Sequence, residues 1–190
     1  MEITPLEIPD VKLIRPKRFG DRRGFFMETF NAAQLSEHGI ECAFVQDNQS
    51  RSEHTGVVRG LHFQAPPVAQ DKLIRVIRGR IFDVAVDIRV GSPTYGKWVS
   101  AELSEDNDKQ LFVPAGFAHG FVTMEPMTEV VYKVSDVYAP ETEGGIIWND
   151  AELSIPWPLK AEPRLSDKDK VLPTFAQFES PFVFDEAAVL

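Results

Sequence analysis

One histidine stands in the middle of a strand-like run, Gly56-Val-Val-Arg-Gly-Leu-His-Phe-Gln64, with Arg59 three residues before it. An imidazole with an ordinary pKa of about 6.5 can take and return a proton near neutral pH. His62 is therefore a candidate general base. A base of this kind needs a carboxylate to orient its other ring nitrogen. A tyrosine can act as partner acid, and lysines or arginines can hold an enolate or grip a phosphate. Suitable residues lie in or beside other apolar segments: Arg23 and Glu28, Gln46-Asp47-Asn48, Lys72, His119, Tyr132 and Lys168-Asp169. Ionisable side chains set into β segments predict a barrel with a polar interior.

Read singly, these residues have plainer explanations. Asp169 belongs to the charge run Ser166-Asp-Lys-Asp-Lys170, which reads as a solvated surface. Glu28 and Glu143 read as surface carboxylates. His119, between Ala118 and Gly120, reads as a turn-flanking or core histidine. Tyr132 reads as an ordinary barrel tyrosine.

Other chemistries lack their signatures. Metal-binding barrels of the cupin type use two histidines one residue apart, but the position two after His62 is Gln64. His38, His54, His62 and His119 are scattered, with no pair at ligand spacing, so no metal is expected. Gly20-Asp-Arg-Arg-Gly24 lacks the Lys-Ser/Thr of a P-loop, and no Gly-x-Ser-x-Gly elbow occurs. Cys42, in Glu-Cys-Ala-Phe-Val, reads as a buried strand position rather than a nucleophile.

The elements that must position these groups are strands. Phe82, Val84, Val86 and Ile88 share one face; Asp83, Ala85, Asp87 and Arg89 share the other. Gly79 and Gly91-Ser-Pro93 bound that segment. Val99, Ala101 and Leu103 alternate with Trp98, Ser100 and Glu102, and Val130, Tyr132 and Val134 with Val131, Lys133 and Ser135. Tyr132 can thus point into a barrel. Residues 1–30 also alternate, broken by the turn-rich stretch at 20–24. One short helix is expected from Asn31, a capping residue, to Gly39, a terminator. Short strands between Gly/Pro turns indicate a sandwich or barrel. After Pro140 the chain reads as irregular and packed around the barrel.

The bulk numbers bound the function. A chain of 190 residues, 43% hydrophobic and 26% charged, is most simply one domain. Its 14 Phe and 14 Pro suit strands and turns. A formal charge of −9 disfavours nucleic-acid or membrane surfaces, so basic residues gathered at one site would suit a small anionic ligand. A single cysteine cannot form an internal disulfide, which makes a reducing cytoplasm the expected location. No signal-peptide pattern and no membrane-length apolar run is present.

Taken in order, several strings closely resemble one family. They include Arg18-Phe-Gly-Asp-Arg-Arg-Gly24 with Glu28, Gln46-Asp-Asn-Gln-Ser50 and Val58-Arg-Gly-Leu-His-Phe-Gln64. They continue through Ala69-Gln-Asp-Lys-Leu73, Asp83-Val-Ala-Val-Asp-Ile-Arg89 and Pro114-Ala-Gly-Phe-Ala-His-Gly-Phe121. Glu129-Val-Val-Tyr-Lys133, Gly145-Ile-Ile-Trp-Asn-Asp150 and Leu165-Ser-Asp-Lys-Asp169 complete the set. Together they resemble the dTDP-4-dehydrorhamnose 3,5-epimerases, cofactor-free sugar-nucleotide epimerases, from about Arg18 to Pro173.

That resemblance implies a mainly β fold, a cupin-like jelly-roll barrel with a few short helices. Residues 1–190 would form one epimerase domain, with a core at about 18–173 and N- and C-terminal arms. It implies a homodimer acting on a dTDP-sugar, with no metal and no cofactor. It places the base on His62, its carboxylate on Asp169, the proton-returning acid on Tyr132 and an enolate-holding cation on Lys72. Arg23, Arg59 and Lys168 would meet the nucleotide or its pyrophosphate. Glu28, Gln46, Asp47, Asn48, His119 and Glu143 would complete the ligand shell, and Tyr138 would line the sugar site or base pocket.

One detail resists. Arg59 and His62 have opposite parity on one strand, so simple alternation sends them to opposite faces. A bulge at Gly60, a rim contact or a neighbouring subunit's site would each reconcile them. The apolar tail, Phe175 to Leu190, is expected to dock on the barrel's outer face or across a dimer. Competing functions are a single-carbon epimerase of another dTDP-deoxysugar pathway, a non-catalytic sugar-nucleotide-binding barrel, and a metal-dependent cupin enzyme.

Overall fold

In the computed structural model, which describes residues 1–185, the regular structure is almost wholly antiparallel strand. The first half supplies β1 (Glu2–Pro5), β2 (Lys12–Arg15), β3 (Arg18–Asp21), β4 (Gly24–Met27), β5 (Gln46–Ser52), β6 (Val58–Gln64) and β7 (Lys72–Arg78). The second half supplies β8 (Arg80–Asp87), β9 (Trp98–Ser104), β10 (Gln110–Val113), β11 (Phe117–Thr123), β12 (Thr128–Val134) and β13 (Glu143–Gly145). One α-helix, α1 (Ala32–Ser36), lies between β4 and β5.

Two sheets face each other: a six-stranded one ordered β1-β2-β10-β7-β12-β5 and a five-stranded one ordered β13-β6-β11-β8-β9. The barrel interior lies between them. Ile74, Val76, Leu111, Val113 and Val130 enter it from one sheet, and Ile81, Ala85, Val99, Leu103, Phe117 and Phe121 from the other. Burying each such side chain is worth about 1.5–3 kcal/mol, and this non-local packing carries the fold. The expected cupin-like jelly-roll is therefore the observed architecture.

Strand alternation has a consequence for β8. Its most apolar face, Val84 and Val86 with the following Ile88, looks away from the barrel interior. The C-terminal segment covers it with Ile146, Leu153, Phe175 and Phe182. Backbone bonds fasten that cover: Val90 N–H donates to Phe182 O and Phe184 N–H to Val90 O, both at 2.9 Å. The tail thus docks on the outer face; its expected portion at 186–190 lies outside the described residues. The opposite face of β8 carries Asp83 and Ala85 inward.

The expected helix forms with Asn31 as its cap, accepting from Gln34 N–H at 3.2 Å, and ends at Ser36 rather than Gly39. Cys42 differs from its expected strand position. It lies half-buried in irregular chain before β5. Burial and the neighbouring Asp71 carboxylate push its thiol up to about 12, which leaves it protonated and unreactive. The stretch after Pro140, expected to be irregular, contains β13, which pairs with β6 and sets Glu143 opposite Gln64.

Candidate active site

His62 sits on β6 at the barrel mouth, and the parity conflict with Arg59 is resolved there. On β11, His119 faces His62 and Phe121 faces Arg59, so two steps on β11 span three on β6. The extra residue is a bulge. It turns Arg59 and His62 onto one cavity of about 440 Å³ in their own chain. Gly60 makes the bulge possible. Its φ is +122°, and a Cβ there would meet Gly120 Cα at 2.5 Å.

His62 Nε2 lies 2.5 Å from Oδ1 of Asp169, which is 3% exposed. Asp169 is therefore no solvated charge. The turn Asp169–Val171 folds it under β6, and its backbone N–H donates to Ser166 Oγ at 3.1 Å. Burial works to raise the Asp169 pKa, but bonding to His62 and Ser166 and the charge of Lys168 hold it below the usual carboxylate range. An ionised carboxylate only accepts hydrogen bonds, so Nε2 of His62 carries the shared proton. Nδ1, with no hydrogen-bond partner among the described residues, is the nitrogen left to face a ligand. This is the arrangement a general base requires.

Lys72, Ile74 and Val76 alternate inward on β7, as Val130 and Tyr132 do on β12. Lys72 Nζ approaches His62 O at 3.5 Å. Burial pushes Lys72 down to about 8, while the charges of Glu143 and Asp83 pull it back upward. Burial also raises Tyr132, helped by Glu143 and opposed by Arg59, so its phenol stays protonated at neutral pH. Base, cation and acid thus share one space.

A second chamber, of about 310 Å³, shares His62, Lys72 and Tyr132 with the first. Gln46, Asn48, Tyr138 and Glu143 line it. Gln46 Nε2 donates to Asn48 Oδ1 at 2.9 Å, and Tyr138 N–H donates to Gln46 Oε1 at 3.1 Å. Glu143 accepts from Tyr138 OH at 2.8 Å and pairs with Lys168 at 2.5 Å. Burial would raise Glu143, yet these partners hold it below the ordinary range.

Three expected residues lie elsewhere in the single chain. Asp47 has the opposite parity to Gln46 and Asn48, and on the outer face it pairs with Lys133 at 2.8 Å. Glu28 accepts from Asn31 and Gln34 beside α1. Arg23 is at the tip of the β3–β4 hairpin, bonded to Asp21, and that hairpin joins neither main sheet. Conversely, Ser50, Phe121, Arg164 and Ser166 line the first chamber without having been singled out. So does the support of His119, whose Nε2 lies 2.5 Å from Asp83 Oδ1. The parity that Asp83 shares with Ala85 and Asp87 was legible; which way that face turns, and its partner, were not. Among the described residues, no three His, Cys, Asp or Glu side chains gather as a metal would require.

The fold and this cavity define the class: a cupin-like barrel of the sugar-nucleotide epimerase kind. The family model described as dTDP-4-dehydrorhamnose 3,5-epimerase matches residues 5–177. The chain belongs to that family. A dTDP-4-dehydrorhamnose 3,5-epimerase from Sinorhizobium fredii is 50% identical over 184 residues, covering 97% of this chain and 94% of that protein. The Bacillus anthracis enzyme of that name, solved with TDP and PPi bound, superposes with a TM-score of 0.88 at 50% identity, covering 91% and 98%. A Legionella pneumophila dTDP-6-deoxy-D-glucose-3,5-epimerase, in complex with dTDP-4-keto-L-rhamnose, gives 0.90 at 46% identity, covering 94% of each chain.

Proposed function

We propose that the protein epimerises dTDP-4-dehydro-6-deoxy-α-D-glucose at C-3 and C-5, giving dTDP-4-dehydro-β-L-rhamnose for dTDP-L-rhamnose biosynthesis. The observation that carries this is the His62–Asp169 pair, set in one cavity with Lys72 and Tyr132. The 4-ketone acidifies the C–H bonds on both neighbouring carbons. His62 Nδ1 takes a proton from the carbon, and Asp169 balances the imidazolium that forms. Lys72 holds the negative oxygen of the enolate. Tyr132 returns a proton from the opposite side, which inverts the carbon. The exchange is redox-neutral and calls on no cofactor.

Arg59 and Lys168, on the cavity wall, suit the pyrophosphate. Gln46, Asn48, Tyr138 and Glu143 form the rest of the shell. The active form is a cytoplasmic homodimer in this reading. The exposed Phe19, Phe25 and Phe26 of the β3–β4 hairpin support the dimer, since such apolar patches mark interaction surfaces. Arg23 and Glu28 would then meet ligand by way of the second copy.

Proton NMR of the substrate with the protein in deuterated water tests the reading, with His62→Ala as control. Deuterium at both carbons flanking the ketone, lost in the control, is the expected result. Deuterium at one carbon only would make the protein a single-site epimerase. Binding without exchange would leave a sugar-nucleotide-binding barrel.

A further inference from the structure

Asp83 is a buried carboxylate for which the proposed reaction has no task. It is fully buried on β8, on the face that looks into the barrel. Its Oδ1 lies 2.5 Å from His119 Nε2, while its Oδ2 has no hydrogen-bond partner among the described residues. A buried carboxylate with one bare oxygen is a costly thing to fold around. An apolar side chain of similar size would serve a purely structural role better.

Its surroundings suggest why it is there. The titratable and charged groups that line the cavity with His119 are Arg59 and His62 from β6, Lys72 from β7, Tyr132 from β12, and Arg164, Lys168 and Asp169 from the C-terminal segment. All but the tyrosine and Asp169 are cations or become cations on protonation, Asp169 being the one carboxylate among the described residues of that wall. The other carboxylates near them are engaged: Asp169 with His62, and Glu143 with Lys168 and Tyr138. Asp83 is the carboxylate that backs His119. It also pulls upward on the Lys72 pKa, which burial pushes down to about 8. Because a carboxylate only accepts, Nε2 of His119 carries the shared proton. Nδ1, with no partner among the described residues, is left for the ligand.

We propose that Asp83 is a positioning residue of this site: it fixes the His119 ring through Nε2, so that Nδ1 accepts from a ligand hydroxyl, and it supplies the buried negative charge that keeps Lys72 able to hold the oxyanion formed at the ketone. This rests on the epimerase reading. Asp83 touches no substrate in this scheme; it acts through the two side chains that do.

Asp83→Asn, nearly isosteric, tests it. Weakening Lys72 as the oxyanion partner and releasing the His119 ring lowers kcat about 100-fold, with KM changed less than about threefold. The alkaline limb of the kcat profile moves to lower pH, because Lys72 loses a charge that keeps it protonated. A folded variant with unaltered kcat and an unaltered alkaline limb overturns the proposal. Nitrogen-15 NMR of the unmodified protein gives a reading independent of any variant's folding and of turnover. A proton on His119 Nε2 is expected; a ring that carries its proton on Nδ1 alone overturns the proposal. If the unmodified protein exchanges no deuterium into the sugar, the epimerase reading falls, and the His119 tautomer still decides what Asp83 does.

Discussion

His62 and His119 stand directly opposite each other on β6 and β11, and each gives its Nε2 to a buried carboxylate 2.5 Å away. The two pairs are built alike but backed from different places. Asp169 comes from a turn far along the chain, and Asp83 from the neighbouring strand β8. Both leave Nδ1 as the nitrogen without a protein partner among the described residues, so one cavity receives two oriented imidazoles.

Asp169→Asn should keep the fold and lose activity. The amide can donate where the carboxylate only accepted, which favours the wrong His62 tautomer. The expected fall in kcat is about 10²–10⁴-fold. Steady-state kinetics with a circular dichroism control checks it; activity within about threefold of the parent would remove Asp169 from the mechanism.

Tyr132→Phe separates the two halves of the reaction. Proton abstraction by His62 does not need the phenol, but protonation on the opposite side does. Product formation should fall about 10²–10⁴-fold while deuterium still washes into unchanged substrate. Equal loss of both would place Tyr132 in binding rather than proton return.

The rate should decline as pH rises through about 8, where the buried Lys72 loses its proton. The sign follows from the charge: protonated Lys72 stabilises an enolate, and neutral Lys72 does not. Lys72→Arg stays protonated throughout, so its residual activity should lack that alkaline decline. A parent profile flat from pH 7 to about 9.5 would contradict the role.

Phe182→Ala should destabilise the protein by about 3 kcal/mol without touching the chemistry. Phe182 packs on the outer face of β8 with Phe63, at a ring-centroid distance of 5.8 Å. Thermal melts should show the loss, with kcat within about twofold for the folded fraction. Truncation after Pro173 should cost more, since it removes Phe175 as well.

Gly60→Ala tests the bulge. A methyl group there meets Gly120 Cα and His119 O at 2.5 and 2.7 Å, both backbone, at a φ of +122°. The register that brings Arg59 and His62 together should not survive, and stability should drop by at least about 1–3 kcal/mol. An active, equally stable variant would show that the approach of β6 to β11 can relax.

Much of this site was legible from residue order. Alternation along β8, β9 and β12 follows from side chains on successive positions taking opposite faces, so the inward aim of Tyr132 could be read from Val130 and Val134. The single histidine of β6 and the matching strings pointed to the chemistry. The Asp47 side chain, too, has the parity of the outer face, although its neighbours in sequence turn inward.

Tertiary structure decided the rest. Asp169 reads locally as part of a solvated charge run, and only the turn that folds it beneath β6 makes it buried and paired. Whether Arg59 joins His62 depended on a bulge, which is a property of two strands and not of one. Which face of β8 lines the cavity depended on a tail about ninety residues later, because an apolar face turns outward only when something covers it. Local order sets which residues share a face; what that face meets is set by contacts that close long loops, and no short window of sequence contains them.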